Sequence, residues 1–183
     1  MERKFERLLL WCRDREKALA LKGRLAPWLP GVEIEVIDSV KDVVEAAEVL
    51  VTATTTREPI VQGEWLRPGQ HITAVGADDN TKCELDALCL KRANRLVVDS
   101  RESARDHGEV HRWLKQGALS IEDIHGELGE VLAGTVAGRR SAEEITIAKF
   151  VGIGVQDLAA AEVSIDKLKQ AGQDLMSSIS GVA

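Results

Sequence analysis

Asp78, Asp79, Lys82 and Glu84 crowd together just after the mostly apolar run Ile72-Thr73-Ala74-Val75-Gly76-Ala77. Carboxylates beside a lysine can hold or hand over a proton, which is general acid–base chemistry. The same residue types also close turns, and Asp78 and Asp79 are equally suited to the bend toward a following helix. Two more polar clusters follow apolar runs. Thr54-Thr55-Thr56 comes after Val49-Leu50-Val51-Thr52-Ala53, and Arg13-Asp14 comes after Leu8-Leu9-Leu10-Trp11-Cys12. The threonines could offer hydroxyls and backbone amides to a ligand. Asp14 has the competing role of capping a helix that starts at Arg15.

The elements that must position these groups are short. Apolar or alternating stretches predict strands over 8–12, 32–37, 49–53, 71–75, 95–99 and 145–148. Helical segments fall between them: 14–26, stopped by Pro27 and Pro30; 40–47, capped by Ser39; and 86–92. Beyond Asp99 the pattern loosens. A last Ala-rich amphipathic helix covers 158–168 and runs on toward Met176, with 177–181 expected to fray. Strands spaced by helices predict an α/β fold with a doubly wound, mostly parallel sheet. Ligands in such sheets gather at the carboxyl ends of the strands. All three polar clusters therefore fall on one rim.

Charge and composition narrow the function. The 183 residues carry a net charge of −6, with 24 Lys and Arg against 30 Asp and Glu and no basic block, so nucleic acid is not an expected partner. No apolar run reaches membrane-spanning length, and the first residues lack the apolar stretch of a signal peptide. Three cysteines without a C-x-x-C pair fit free thiols in a reducing cytoplasm. Cys12 and Cys89 lie in apolar runs and are expected to be buried, while Cys83 has no neighbouring histidine to make it a nucleophile. His107 and His111 stand four residues apart, but the order is not H-E-x-x-H and no third ligand is evident, so no metal site is expected. His71 and His125 read as structural, and Trp11, Trp28, Trp65 and Trp113 as packing residues.

Gly76-Ala77-Asp78 followed by Lys82-Cys83-Glu84-Leu85 resembles the strand-exit pattern of the ornithine cyclodeaminase/mu-crystallin family. Further pieces occur in that family's order. They are Thr52-Ala53-Thr54 with Pro59, Gly69-x-His71-Ile72, Gly108-Glu109, Glu127-Leu128-Gly129-Glu130, Gly134 with Gly138-Arg139, and Gly152-x-Gly154-Val155-Gln156-Asp157. The last piece, with Arg57-Glu58-Pro59, most resembles the ectoine-utilisation branch. The resemblance implies a Rossmann-like fold and NAD(P)-dependent redox at an amino or imino carbon of a small amino or imino acid: cyclodeamination, imine reduction or amino-acid oxidation. It implies an acid/base role for Asp78, a loop held by Lys82 and Glu84, and a cofactor reached by Thr54, Thr55, Gly76 and Gly152. The residue after the first strand would face the adenosine ribose. Arg13 there, with Arg15, favours NADP, whereas Asp14 would suit NAD.

The departures from the family pattern shape the remaining expectations. The first strand here resembles the family's second, and no Gly-x-Gly-x-x-Gly phosphate turn occurs. The sheet is therefore expected to lack its first strand. Residues 1–152 would form a truncated dinucleotide-binding domain, and 153–183 a C-terminal helix that packs on an absent substrate domain. Such a helix would expose an apolar stripe and favour self-association or a homo-oligomer. The chain is expected to be a fragment of a longer enzyme. The alternative is a non-catalytic interaction protein built on the same half fold.

Overall fold

The computed structural model describes residues 4–170. Among them, strands and helices alternate as β1 (Arg7–Leu10), α1 (Arg15–Leu25), β2 (Glu33–Val36), α2 (Val40–Ala46), β3 (Val49–Thr52), β4 (His71–Ala74), α3 (Ala87–Arg92) and β5 (Arg95–Val98). Then come α4 (Arg101–Asp106), α5 (Gly108–Lys115), β6 (Gly126–Glu127), α6 (Leu128–Leu132), β7 (Thr146–Lys149) and α7 (Gly154–Gln170).

The helices start where the sequence supplies a side-chain acceptor for the otherwise unbonded first-turn amides. Asp14 accepts from Glu16 N–H at 3.2 Å, Ser39 from Asp42 N–H at 3.3 Å, and Asp86 from Cys89 N–H at 2.8 Å. Ser100 opens α4 in the same way, accepting from Ser103 N–H. α4, α5, α6 and β6 are elements that hydrophobic periodicity does not predict. β6 spans only 2 residues and the helices 5 to 8, too short to show a period.

Every strand pairing is parallel. β1 and β2 form a two-stranded sheet, and the other strands form a five-stranded sheet in the order β3-β4-β7-β5-β6. The expected single sheet is thus divided. Among the described residues β1, β2, β3 and β6 are edge strands, each with a hydrogen-bonded partner on one side only. β4 and β7 lie inside the larger sheet, and Ile72, Ile147, Leu96 and Val98 from its strands are buried with Val44, Leu85 and Leu90 in one apolar core. The last strand begins one residue later than expected and extends to Lys149, so a lysine lies fully buried at its end.

Two packing expectations are corrected. Trp28 is 81% exposed, because it ends a short helical turn at Ala26–Trp28 outside the core that Trp11, Trp65 and Trp113 pack against. Cys12 is only partly buried, since β1 ends before it, whereas Cys83 and Cys89 are buried. The chain divides into two compact units, Met1–Val151 and Gly152–Ala183. In the second, Val155, Leu158 and Val163 of α7 are exposed. The expected continuation toward Met176 and the fraying of 177–181 lie outside the described residues.

Candidate active site

The site is assembled around the carboxyl ends of β3 and β4. The chain leaves β4 through Val75, Gly76 and Ala77, turns at Asp78 and Asp79, and returns to bury Glu84 completely. The Glu84 carboxylate accepts four hydrogen bonds: Thr52 Oγ1 at 2.7 Å, Thr54 N–H at 2.5 Å, Thr54 Oγ1 at 2.8 Å and Gly76 N–H at 2.9 Å. One side chain thus ties the exit of β3 to the exit of β4. The strands approach so closely that a Cβ on Gly76 would overlap the Thr54 backbone and the Glu84 carboxylate. Glycine is required there for space.

A second fastening comes from the end of β7. Lys149 Nζ donates to the carbonyl of Ala77 at 2.8 Å, to that of Phe150 at 2.9 Å and to that of Ala74 at 3.3 Å. Gly108, at φ +71°, brings the start of α5 against the same Ala77 carbonyl, 2.6 Å from where a Cβ would stand. Glu109 follows, fully buried, with an oxygen 3.4 Å from Lys149 Nζ. Burial pushes the Glu109 carboxyl up to about 7, against the lowering effect of the Lys149 ammonium.

Between these fastenings the Asp78 side chain remains half exposed. Lys82 Nζ lies 2.5 Å from its carboxylate and 3.5 Å from that of Asp79. The hydrogen bond from Lys82 holds Asp78 below the usual carboxylate range. Asp79 does the work of the turn. It accepts from Thr81 Oγ1 and Thr81 N–H, both at 2.7 Å, and from Lys82 N–H at 3.1 Å. These bonds, chiefly those from Thr81, hold its carboxyl down to about 2. The acidic cluster therefore separates into one available carboxylate, one turn residue and one buried clasp.

The remaining predicted site residues are dispersed in role. Thr54 directs its amide and hydroxyl inward to Glu84, and Gly76 spends its amide there as well. Thr55, between them and exposed, makes no hydrogen bond among the described residues. At the exit of β1, Arg13 is exposed and in no ion pair among the described residues, Asp14 caps α1, and Arg15 donates to Asp38 at 2.8 Å. Gly152, at φ +89°, opens the second unit directly after the β7 exit. His111 Nδ1 lies 2.5 Å from the Arg105 carbonyl, and no cluster of metal-ligating side chains occurs among the described residues. Sequence reasoning missed Lys149 altogether. Its signal was a lysine ending an apolar strand, Ile145-Thr146-Ile147-Ala148-Lys149.

A parallel α/β fold with a carboxylate on a clasped strand exit defines a Rossmann-like protein, and comparison with known proteins agrees. The sequence profile of the ornithine cyclodeaminase/mu-crystallin family matches residues 1–172. The chain belongs to that family. It is 47% identical to alanine dehydrogenase of Archaeoglobus fulgidus over 116 residues, 63% of this chain and 36% of that one. It is 39% identical to ketimine reductase mu-crystallin of Mus musculus over 163 residues, 88% of this chain and 47% of that one. Delta(1)-pyrroline-2-carboxylate reductase of Thermococcus litoralis, solved with NADH and L-proline, superimposes with a TM-score of 0.84 at 32% identity, covering 92% of this chain and 52% of that one. Iminosuccinate reductase of Paracoccus denitrificans, solved with NAD+, gives 0.83 at 30% identity, with 93% and 51% covered. The chain thus spans about half the length of most of these relatives. No helix among the described residues is long and apolar enough to cross a membrane.

Proposed function

We propose that this chain is the dinucleotide-binding part of a cytoplasmic NAD(P)-dependent oxidoreductase acting at an amino or imino carbon of a small amino or imino acid, with Asp78 as the proton-transfer residue. The observation that carries the reading is Asp78 itself: a half-exposed carboxylate on a strand exit, fixed on both sides by Glu84 and Lys149. A rigid support of this kind is what a proton-transfer group requires, because its distance to the reacting atom must be set before the substrate arrives.

The donor set fits two parts of the cofactor. Thr55, beside the Asp78 loop, would serve the nicotinamide end; Arg13 and Asp14, after β1, would serve the adenosine end. The cofactor supplies the hydride. Asp78, held ionised by Lys82, is ready to accept a proton from an amine on oxidation and to return it on reduction. With Arg15 engaged by Asp38 and Asp14 by its cap, Arg13 is the side chain left to meet a 2′-phosphate, which favours NADP. The solved relatives named above hold NADH or NAD+. The helix α7 would pack on a further substrate-binding segment, and the protein would act as a homo-oligomer; one solved relative is an alanine dehydrogenase dimer.

The test is turnover of cyclic and linear imino acids by the polypeptide isolated from its source cells, with NADH and NADPH compared. Oxidation of either cofactor that Asp78→Asn abolishes, with cofactor affinity kept, is expected. Turnover that survives in Asp78→Asn would refute the assignment.

A further inference from the structure

We propose that the buried pair Lys149–Glu109 is the positioning device for the Asp78 loop. Lys149 fixes the loop through the carbonyl of Ala77, and Glu109 supplies the counter-charge that keeps an ammonium there. This inference rests on reading Asp78 as the proton-transfer residue.

An ammonium has three N–H bonds and accepts nothing. All three are spent on carbonyls: Ala77 and Ala74 on one side, Phe150 on the other. Glu109, 3.4 Å away, is left with charge attraction alone, and neither of its oxygens has a hydrogen-bond partner. Both side chains are 0% exposed. A buried ion pair in this arrangement is a poor stabilising device, since apolar residues of like volume commonly serve a core as well or better. Its geometry has a different consequence. The residue bonded most closely by Lys149 stands immediately before Asp78, and Gly108, the neighbour of Glu109, packs against the same carbonyl. α5, β7 and the β4 exit therefore meet at one atom, the Ala77 oxygen.

The charged and titratable groups facing Glu109 are Lys149 from β7, Glu84 and the Cys83 thiol from the loop after β4, and the Cys89 thiol of α3. Cys83 in turn is flanked by Arg112 of α5 and by Glu58. Burial above all, and to a smaller degree the like charge of Glu84, favours the protonated form of Glu109; the charge of Lys149 opposes them most, with the backbone at Glu109 adding to it. Near neutral pH Glu109 thus stands close to its own titration. Above it the pair is complete; below it Lys149 loses its counter-charge.

The experiment measures kcat and KM against pH for the intact protein with its cofactor and an imino acid, together with hydrogen exchange of amides 76–82. Wild type, Glu109→Gln and Lys149→Met are compared. Lys149→Met should lower kcat about 100-fold with KM little changed, the scale expected for a misplaced reacting group. Glu109→Gln mimics the protonated form. It should cost about tenfold in kcat at pH 8 and nothing at pH 6, erasing an acid limb that wild type shows near pH 7. In both variants exchange at 76–82 should rise, while β5 (Arg95–Val98) stays protected as the control for folding. Wild-type pH profiles and unchanged exchange at 76–82 in Glu109→Gln would overturn the proposal, even if Lys149→Met fails to fold. If Asp78→Asn retains turnover while both variants loosen 76–82, the function assigned to Asp78 falls and the fastening of the loop stands.

Discussion

Replacing Glu84 by glutamine is the sharpest test of how the site is held. The carboxylate takes two donors on each oxygen: Thr52 Oγ1 and Gly76 N–H on one, Thr54 N–H and Thr54 Oγ1 on the other. An amide has one oxygen and one NH2 group. Whichever way it rotates, its NH2 faces one hydroxyl and one backbone N–H. The hydroxyl can turn and accept; the backbone N–H cannot. One buried amide is thus left unsatisfied at about 1–3 kcal/mol, and the surviving bonds lose their charge assistance. The sum is about 3 kcal/mol, which for a chain of this size lowers Tm by about 10 °C. Thermal unfolding followed by circular dichroism measures the shift, and exchange of the Thr54 and Gly76 amides locates it. A Tm within about 2 °C of wild type, with both amides still protected, would refute the claim that Glu84 clasps the two strand exits.

Other outcomes follow from the same geometry. Gly76→Ala should destabilise the protein more than Glu84→Gln, because the Thr54 backbone as well as the Glu84 carboxylate occupies the space, and the same melts compare them. Lys82→Met should return the Asp78 carboxyl upward toward its ordinary value. The acid limit of any Asp78-dependent kcat/KM would then move to higher pH, and an unchanged limit would show that Lys82 does not act on it. Burial pushes the Cys83 thiol up to about 12 and that of Cys89 upward as well, so neither should react with a thiol reagent at pH 8 in the folded protein. Cys12 alone should label, and all three should after denaturation. Glu109 is a carboxyl whose folded value, about 7, lies above its ordinary 4.5. Its contribution to stability is full below 4.5 and is lost as pH rises through 7, so denaturant midpoints should fall over that window in wild type and not in Glu109→Gln.

The larger strands and first helices were legible because each carries a local signal. A run such as Val49-Leu50-Val51-Thr52 needs burial wherever it lies, and Asp14, Ser39 and Asp86 are helix caps in any fold. The site was legible only in part. Asp78 stood out as a candidate at a strand exit, but nothing local distinguishes it from Asp79, and the separation came from Thr81 and Lys82 choosing different partners. Thr54 looked like a cofactor contact because a threonine after a strand has donors to offer; that Glu84 takes them is a contact across 30 residues of chain. Glu109 and Lys149 are 40 residues apart and pair only because α5 and β7 converge on the β4 exit, a long-range contact that no periodicity encodes.

The crowding of ionisable residues after β4 has one physical explanation. On the function proposed above, this loop presents a carboxylate to a reacting amine; it cannot be held by apolar packing alone, since it lies at the rim where the core ends. Backbone groups there need partners, and charged side chains bind them more strongly than neutral ones do. Glu84 supplies acceptors for the amides of Thr54 and Gly76; Lys149 supplies donors for the carbonyls of Ala74 and Ala77. The anchors carry opposite charge because amides call for an anion and carbonyls for a cation. Each charge is buried, so each needs full satisfaction: Glu84 obtains it from four hydrogen bonds, and Lys149 from three carbonyls plus Glu109. Asp78 is then left to Lys82, which holds it ionised as the proposed proton transfer requires.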